Sequence, residues 1–289
     1  MSSIHRVLFP VDFSPACQSL LPTIRRMIEY WHAEVTLLHV IEASAWPDQR
    51  QELEQITTKM RVIAAHLGER SVKFRLERGV AAERVLEYVR AHQVDLVAIA
   101  ARGATGTRRA PLGSVADQVL AEAPCRVWLD WGWTHSNPSA GMYARRVACA
   151  LANNGSDEYV LRSAEDVSGN LNAALTVIQA VCEPAEHSLV LLRNQRLRDS
   201  AVAQATKRIE NLRRRFLQRV DVAVEAGSHT AVVSEVIRRQ ASGLLVTGNL
   251  REAILGAESE CPVLRVAAPG AAARAALEVS YLTAARRSA

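Results

Sequence analysis

The apolar residues of the first 130 positions fall into short β-branched runs separated by longer stretches with helical spacing. Val7–Val11 and Val35–Ile41 have the length and composition of buried parallel strands. An alternating run around Phe74 predicts a third strand, Leu96–Ala100 a fourth and Cys125–Leu129 a fifth. These segments predict five strands in one unit.

Between these runs, apolar residues recur every three or four positions, as on the buried face of a helix. Ser14 is a good N-cap and Pro15 a good first helical residue, so one helix is predicted to begin there, with a kink at Pro22. Further helices are predicted through Leu53–Leu67, through Ala82–His92 and from Ser114. Strands that alternate with helices predict a parallel, doubly wound sheet.

The same pattern then begins again. Trp131–Tyr143 has no periodicity and is rich in turn residues, which predicts a linker. After it, ARRVACALANN repeats the register of IHRVLFPVDFS, with Val147 in the place of Val7. A repeat period of about 140 residues is far above that of a solenoid and indicates a duplicated domain. We predict domains at 1–130 and 144–267, a linker at 131–143 and a tail at 268–289.

Composition narrows the class of protein. A length of 289 residues with 49% hydrophobic side chains is enough for two ordinary cores. The amino terminus has no secretory pattern and no apolar run approaches the roughly 20 residues of a membrane span, so a cytoplasmic protein without a membrane partner is expected. Five scattered cysteines with no CxxC pair also fit a reduced cytoplasm.

The charge balance gives little support to nucleic-acid binding. A net charge of +5 is a modest excess in a long chain. The most basic segment, KRIENLRRRFLQR at 207–219, also carries a helical apolar stripe, which favours a solvated helix face over a nucleic-acid site. No nucleic-acid partner is therefore predicted.

Ligands of doubly wound sheets bind beyond the carboxyl ends of the strands, where the strand order reverses. In the first copy, Pro10, Val11 and Asp12 lie at such an end, and the carboxylate of Asp12 could accept hydrogen bonds from ribose hydroxyls. An acidic residue that only caps the following helix is an equal alternative. Val40, with His39, ends the second strand, where its backbone could read a base edge or simply pack in the core.

A glycine-containing loop after the fourth strand completes the candidate site. Glycines allow close backbone approach to anionic oxygens, and the first amides of the following helix favour phosphate. Such turns also need glycine for backbone reasons alone, which is the alternative interpretation. The candidate ligand-binding residues of this region are Ala100, Arg102, Gly103, Gly106, Gly113, Ser114 and Val115.

Together, FPVDFS, HVIE, ARGATG and LGSVADQVLAEAPCRVWL resemble the universal stress protein family, over the whole first copy and more weakly over 145–266. The resemblance implies a Rossmann-like fold of the adenine-nucleotide alpha-hydrolase type. It also implies ATP phosphates held by a Gly-x-x-Gly, nine further residues and Gly-Ser or Gly-Thr, with the strand-one acid near ribose and adenine. Gly103, Gly106, Gly113 and Ser114 match the glycine elements, and Asp12 matches the acid.

The sequence departs from that family pattern in both copies. In the first copy only six residues separate Gly106 from Gly113, three fewer than in the family, and Ala100 stands where glycine is common. In the second copy Ala152 replaces the acid and the paired glycines are missing, so a degenerate copy is expected. Family members commonly pair their last strands, which implies an intramolecular pseudo-dimer here and leaves a dimer of tandems open.

The leading hypothesis is a cytoplasmic stress-response or signalling protein that binds ATP or another adenine nucleotide in the first copy without efficient catalysis. Mg²⁺ is expected only if a triphosphate is bound. A protein partner of unknown identity is also expected. The sequence assigns no catalytic or metal-ligating residues. The alternatives are a nucleotide-free interaction module and a weak ATPase. No lysine of a phosphate-binding loop and no evident base support the ATPase.

Overall fold

Two units divide the chain, the first within residues 1–136 and the second within 137–268. The computed structural model describes residues 4–42, 50–68, 72–103, 112–131, 141–181, 195–214, 220–248 and 261–267. The predicted tail at 268–289 and most of the predicted linker lie outside these residues, whereas Gly141–Tyr143 forms one 3-10 turn.

The described residues of the first unit form five strands and five helices. The strands are β1 (Arg6–Pro10), β2 (Glu34–Ile41), β3 (Val72–Arg78), β4 (Leu96–Ala100) and β5 (Arg126–Asp130). The helices are α1 (Pro15–Ser19), α2 (Leu21–Trp31), α3 (Arg50–Leu67), α4 (Ala81–His92) and α5 (Ser114–Glu122).

All strands of this unit pair in parallel, in the order β3-β2-β1-β4-β5. The chain therefore moves outward from β1 in one direction and then returns to β4 on its other side. Because such crossovers are right-handed, this reversal places helices on both faces of the sheet. The apolar runs found in the sequence become buried strands, as in β4, where Leu96, Val97 and Ala98 are fully covered.

The predicted single helix after β1 is two helices. Ser14 caps α1, and its hydroxyl accepts a hydrogen bond from the Cys17 N–H at 3.1 Å. The first helix ends before Leu20, and α2 begins directly after it. Pro22 therefore lies in the first turn of α2 rather than at a kink. Proline is favoured at that position because its missing N–H would have no partner there. The interruption is therefore a new helix start.

The second unit repeats the strand order of the first and, in the described residues, has one helix after each of its first three strands. Its strands are β6 (Arg146–Leu151), β7 (Ala174–Val181), β8 (Val220–Ala226), β9 (Leu244–Thr247) and β10 (Val263–Arg265), in the order β10-β9-β6-β7-β8. Its helices are α6 (Asp157–Leu171), α7 (Gln195–Arg213) and α8 (His229–Gln240).

The register of β6 against β7 reproduces that of β1 against β2, since Val147 pairs with Leu175 as Val7 pairs with Val35. The predicted fold class, two tandem units that each carry five parallel strands, is confirmed. None of the helices in the described ranges has the length and apolar character that a membrane span requires.

Candidate functional site

The reversal of strand order in the first unit lies between β1 and β4. Val7 pairs with Val35 of β2 on one side and with Leu96 of β4 on the other. The carboxyl ends of β1 and β4 are consequently neighbours, and the chain leaves them in opposite directions. This is the position at which a doubly wound sheet opens a crevice.

Asp12 lies at this crevice with its side chain exposed. Its Oδ1 accepts a hydrogen bond from the Ser14 N–H at 2.9 Å, which holds the carboxylate at the turn into α1. A Cβ atom built on Gly103 would lie 2.8 Å from Oδ2 of Asp12, closer than real Cβ contacts come. The segment after β4 thus passes directly beside the carboxylate, and only glycine fits there without a shift.

Gly113 holds the start of α5 against the same segment. Its N–H donates to the Ala101 carbonyl at 2.8 Å, and a Cβ on it would lie 3.5 Å from the Gly103 nitrogen. Gly113 is also the N-cap of α5, so no side chain caps that helix. The amino-terminal end of α5 and the Asp12 carboxylate therefore flank one stretch of backbone.

The backbone N–H and C=O groups of Val11, directly after β1, already form hydrogen bonds with β2. The Val11 N–H donates to the Leu38 carbonyl at 2.8 Å, and Nδ1 of His39 lies 2.6 Å from the Val11 carbonyl oxygen. The hydrogen of that short contact belongs to Nδ1, because a carbonyl oxygen can only accept. Val11 is therefore a supporting residue, since both of its backbone polar groups already have partners within the protein.

Two side chains at this edge were not anticipated from the sequence. Phe13 adopts a left-handed backbone with a φ of 60°, and its ring centroid lies 4.6 Å from that of His39. The Lys59 ammonium, from α3, lies 5.5 Å from the centre of the same ring. A predicted strand end followed by an aromatic residue was the available signal for Phe13, whereas a lysine on a helix gives none.

The predicted site residues thus fall into four groups. Pro10, Asp12, Gly103 and Gly113 converge where β1, β4 and α5 meet, and Val11 supports them. Val40 is half-buried in β2, and Ala100 is half-buried at the end of β4. Arg102 and Ser114 are exposed and Val115 is half-buried in the first turn of α5. Gly106 lies outside the described residues.

The nearest thiol to this site is not set up as a nucleophile. Cys17 is buried in α1, and burial raises the pKa of its thiol to about 12. The nucleophilic form of cysteine is the thiolate, which is therefore scarce at neutral pH. In the described ranges, no three His, Cys, Asp or Glu side chains cluster closely enough to hold a metal ion.

The second unit has different chemistry at the corresponding strand end. Ala152 stands in the place of Asp12, and its N–H donates at 3.1 Å to Oδ1 of Asp157, a carboxylate that is only 3% exposed. Oδ2 of Asp157 forms an ion pair with Arg208 of α7. Arg208 also donates to Oε1 of Gln179 in β7 at 2.9 Å. Within the basic segment predicted as a solvated helix face, Lys207, Glu210 and Asn211 are exposed, whereas Arg208 is half-buried and turns toward the sheet.

The first unit matches a known family in sequence. Residues 3–129 match the model of the universal stress protein family. No curated protein matches the chain at a significant level.

Solved structures resemble the chain over nearly its whole length. A universal stress protein from Archaeoglobus fulgidus DSM 4304 gives a TM-score of 0.66 at 16% identity, covering 92% of this chain and 99% of that one. A functionally unknown protein from Pseudomonas aeruginosa PAO1 gives 0.64 at 15% identity, covering 96% and 98%. The cytoplasmic domain of a prokaryotic cation chloride cotransporter gives 0.53 at 13%, covering 92% and 96%. These likenesses concern the fold, which serves proteins of different kinds.

The residues that match the family model are those that build β1 to β5 and the crevice between β1 and β4. The match to the universal stress protein family thus covers residues 3–129, the first unit of the chain.

Proposed function

We propose that the first unit binds an adenine nucleotide, ATP or one of its hydrolysis products, and that the protein acts in cytoplasmic stress response or signalling without efficient catalysis. The observation that carries the proposal is the contact between Asp12 and Gly103, where a Cβ would come within 2.8 Å of the carboxylate. It joins two segments that the sequence assigns separately to ribose and phosphate.

The chemistry of the crevice suits the two polar parts of a nucleotide. An exposed carboxylate such as Asp12 accepts hydrogen bonds from a pair of hydroxyl groups, as a ribose offers. The amino-terminal turn of α5 supplies backbone N–H groups and the positive end of the helix dipole, which favour phosphate. Exposed Arg102 adds a positive charge beside Gly103. The choice of adenine rests on the resemblance to nucleotide-binding members of the family.

Titration calorimetry with ATP, ADP and AMP tests the proposal on the full chain. We expect saturable binding to the unaltered protein and its loss in Asp12→Ala, which removes the hydroxyl acceptor. Gly113→Val should have the same effect, because a Cβ on this residue would lie 3.5 to 3.7 Å from the backbone of residues 101–103 and leaves little room there for two further methyl groups. An absence of saturable heat at about 1 mM of every nucleotide would remove the proposal.

Each variant has a matched control in the same chain. Asp95→Ala also removes a carboxylate that accepts backbone hydrogen bonds, from His5 and Arg6, but at the opposite end of the strands. Gly155→Val places the same side chain at a glycine with no atoms within 4 Å of the added Cβ. Both controls should bind nucleotide as the unaltered protein does.

The contact between Gly103 and Asp12 allows a finer test. Gly103→Ala should displace the carboxylate, since its Oδ2 must move away from the new methyl group, and should weaken nucleotide binding about tenfold, or 1.4 kcal/mol. Thermal stability should change little because the group that moves is an exposed side chain. Unchanged affinity would show that Asp12 does not contact the ligand.

Mass spectrometry of the purified protein addresses the identity of the ligand. A co-purified adenine nucleotide, absent from Asp12→Ala prepared in the same way, would support the proposal. Equal thermal stability with and without each nucleotide would favour the interaction module, because a ligand that binds only the native state must raise stability.

A further inference from the structure

At the amino-terminal end of β1, on the opposite edge of the sheet from the crevice, one carboxylate caps two backbone groups. Oδ2 of Asp95, directly before β4, accepts from the N–H groups of His5 and Arg6 at 2.9 Å each. The pairing of β1 with β4 begins only at Val7, so these two groups take their acceptor from a side chain. The first unit thus fills this position with its own acidic residue.

The second unit has the same backbone arrangement without that carboxylate. The Gly243 N–H donates to the Arg146 carbonyl at 3.0 Å, as the Asp95 N–H donates to the Arg6 carbonyl at 2.9 Å. Gly243 therefore stands in the place of Asp95, and Arg145 and Arg146 stand in the places of the two capped residues. In the described part of the second unit, no side chain accepts from the N–H groups of these two arginines.

The local backbone does not require glycine at this position. Gly141 and Gly227 of the same unit have a positive φ, whereas Gly243 does not. An aspartate there would therefore be compatible with the conformation of the chain. The two units differ here in side-chain chemistry and not in the path of the backbone.

Two further acceptors around the second arginine are also replaced. In the strand pairing, Arg6 lies opposite Glu34 of β2, whereas Arg146 lies opposite Ala174 of β7. The residue that caps the carboxyl end of α4 offers an amide oxygen to Arg6 at 3.4 Å, whereas the residue that caps α8 is an alanine. The surroundings of Arg146 have thus lost the side-chain acceptors that the first unit provides.

The charges that remain at this surface suit an anion. Arg145 and Arg146 are both exposed, and neither forms an ion pair with a described residue. Asp221, the acidic residue near the start of β8, is separated from β6 by β7. Two guanidinium groups beside two backbone donors are complementary to an oxyanion, since hydrogen bonds to an ionised acceptor are stronger than neutral ones.

From this comparison of the two units, we propose that the second unit binds an acidic segment of a protein partner here, with one carboxylate in the position that Asp95 fills in the first unit. In the first unit this backbone accommodates a carboxylate, and a single oxygen of it accepts from both N–H groups. The site lies at the opposite edge of the sheet from the crevices and does not depend on the proposed nucleotide site.

NMR titration of the full chain with tetraglutamate tests the proposal at single residues. The amide signals of Arg145 and Arg146 should shift saturably, because their protons gain an anionic acceptor. Those of His5 and Arg6 should not shift, since Asp95 already occupies that pair. Tetraglutamine should shift neither pair. An absence of saturable shifts at about 10 mM tetraglutamate, or equal shifts of both pairs, would overturn the proposal.

Exchange of the two capping positions tests the comparison in both units. Gly243→Asp should supply the carboxylate within the chain and abolish the response of Arg145 and Arg146. Asp95→Gly should make the first-unit pair respond to tetraglutamate as the second-unit pair does. Thermal unfolding shows whether each variant is folded. A response that survives Gly243→Asp in a folded protein, or a first-unit pair that stays silent in folded Asp95→Gly, would overturn the proposal.

Neutral replacements separate this site from general attraction between charges. Arg145→Gln and Arg146→Gln in one chain should weaken the binding of tetraglutamate about tenfold. Arg162→Gln is the matched control, because this exposed arginine of the same unit pairs with Glu158, and it should leave the affinity unchanged. Equal weakening by both changes would overturn the proposal. Inorganic phosphate that shifts the same two amide signals at a lower concentration than tetraglutamate would assign the site to a phosphate ligand and overturn the acidic segment.

Discussion

After its first strand, each unit positions a carboxylate, but the first unit exposes it and the second buries it. Asp12 lies open at the crevice beside Gly103, whereas Asp157 is 3% exposed and pairs with Arg208. An exposed carboxylate keeps its hydrogen-bonding capacity for a ligand, while a buried one must be satisfied by the protein itself. One topology therefore carries an exposed carboxylate in one copy, as the proposed binding role requires, and a buried, structural carboxylate in the other.

Removal of the buried carboxylate should have the largest effect. Asp157→Ala leaves Arg208 and the Ala152 N–H without their shared partner, and should lower the free energy of unfolding by about 3 kcal/mol. Asp12→Ala is the comparison and loses the part-buried hydrogen bond from the Ser14 N–H, with an expected cost of about 0.5–1 kcal/mol. Urea unfolding followed by circular dichroism measures both. Equal losses would contradict the contrast between the copies.

Gly248 provides a second test at the end of β9, in the place that Ala100 occupies in the first copy. A Cβ on Gly248 would lie 2.8 Å from Cγ2 of Val160 and 3.0 Å from Oγ of Ser156. Gly248→Ala should therefore cost about 1–2 kcal/mol of stability, because α6 must shift. Gly155→Ala, with open space around the added atom, should stay within about 0.5 kcal/mol. A neutral Gly248→Ala would show that α6 is not held closely here.

The two units should differ least in their response to high pH. Burial raises the thiol pKa to about 12 both in Cys17 of the first unit and in Cys261 of the second. Because both folded-state values lie above the ordinary 9.0, this contribution to stability is complete below pH 9 and declines as the pH rises toward 12.

Urea unfolding of the unaltered protein at about pH 8 and about pH 10.5 should therefore show a loss of stability with pH. Cys17→Ala and Cys261→Ala should each reduce that loss, and at neutral pH neither thiol adds any pH dependence. If only one of the two variants reduced it, the thiols would differ in burial, contrary to their similar pKa values.

Most of the fold follows from local patterns in the sequence. Leu96–Ala100 is predicted with the bounds that β4 has, because a buried parallel strand between helices leaves a short, continuous apolar run. The helix after β1 shows the limit of such patterns. Pro22 signals an irregularity, but proline is compatible with both a kink and a new helix start, and packing around Leu20 decides between them.

Some residues at the strand ends can likewise be found from sequence patterns, and others cannot. Asp12 can be found from the sequence because it follows a strand end and matches a family pattern. Arg208 cannot, because it stands in a basic helical segment, and its inward direction depends on Asp157, which is 51 positions away in the chain. Contacts of that kind leave no periodic signal. Side-chain partners across elements therefore had to come from the structure.

The turns that follow β1 and β6 share one backbone bend, with a φ of 60° at Phe13 and 59° at Asn153. Left-handed geometry is common for asparagine and uncommon for phenylalanine, yet both units adopt it. Because both turns share this bend, we expect the three residues from Asp12 to be exchangeable with the three from Ala152. Such a chimera would move the acidic turn onto the other half of the molecule.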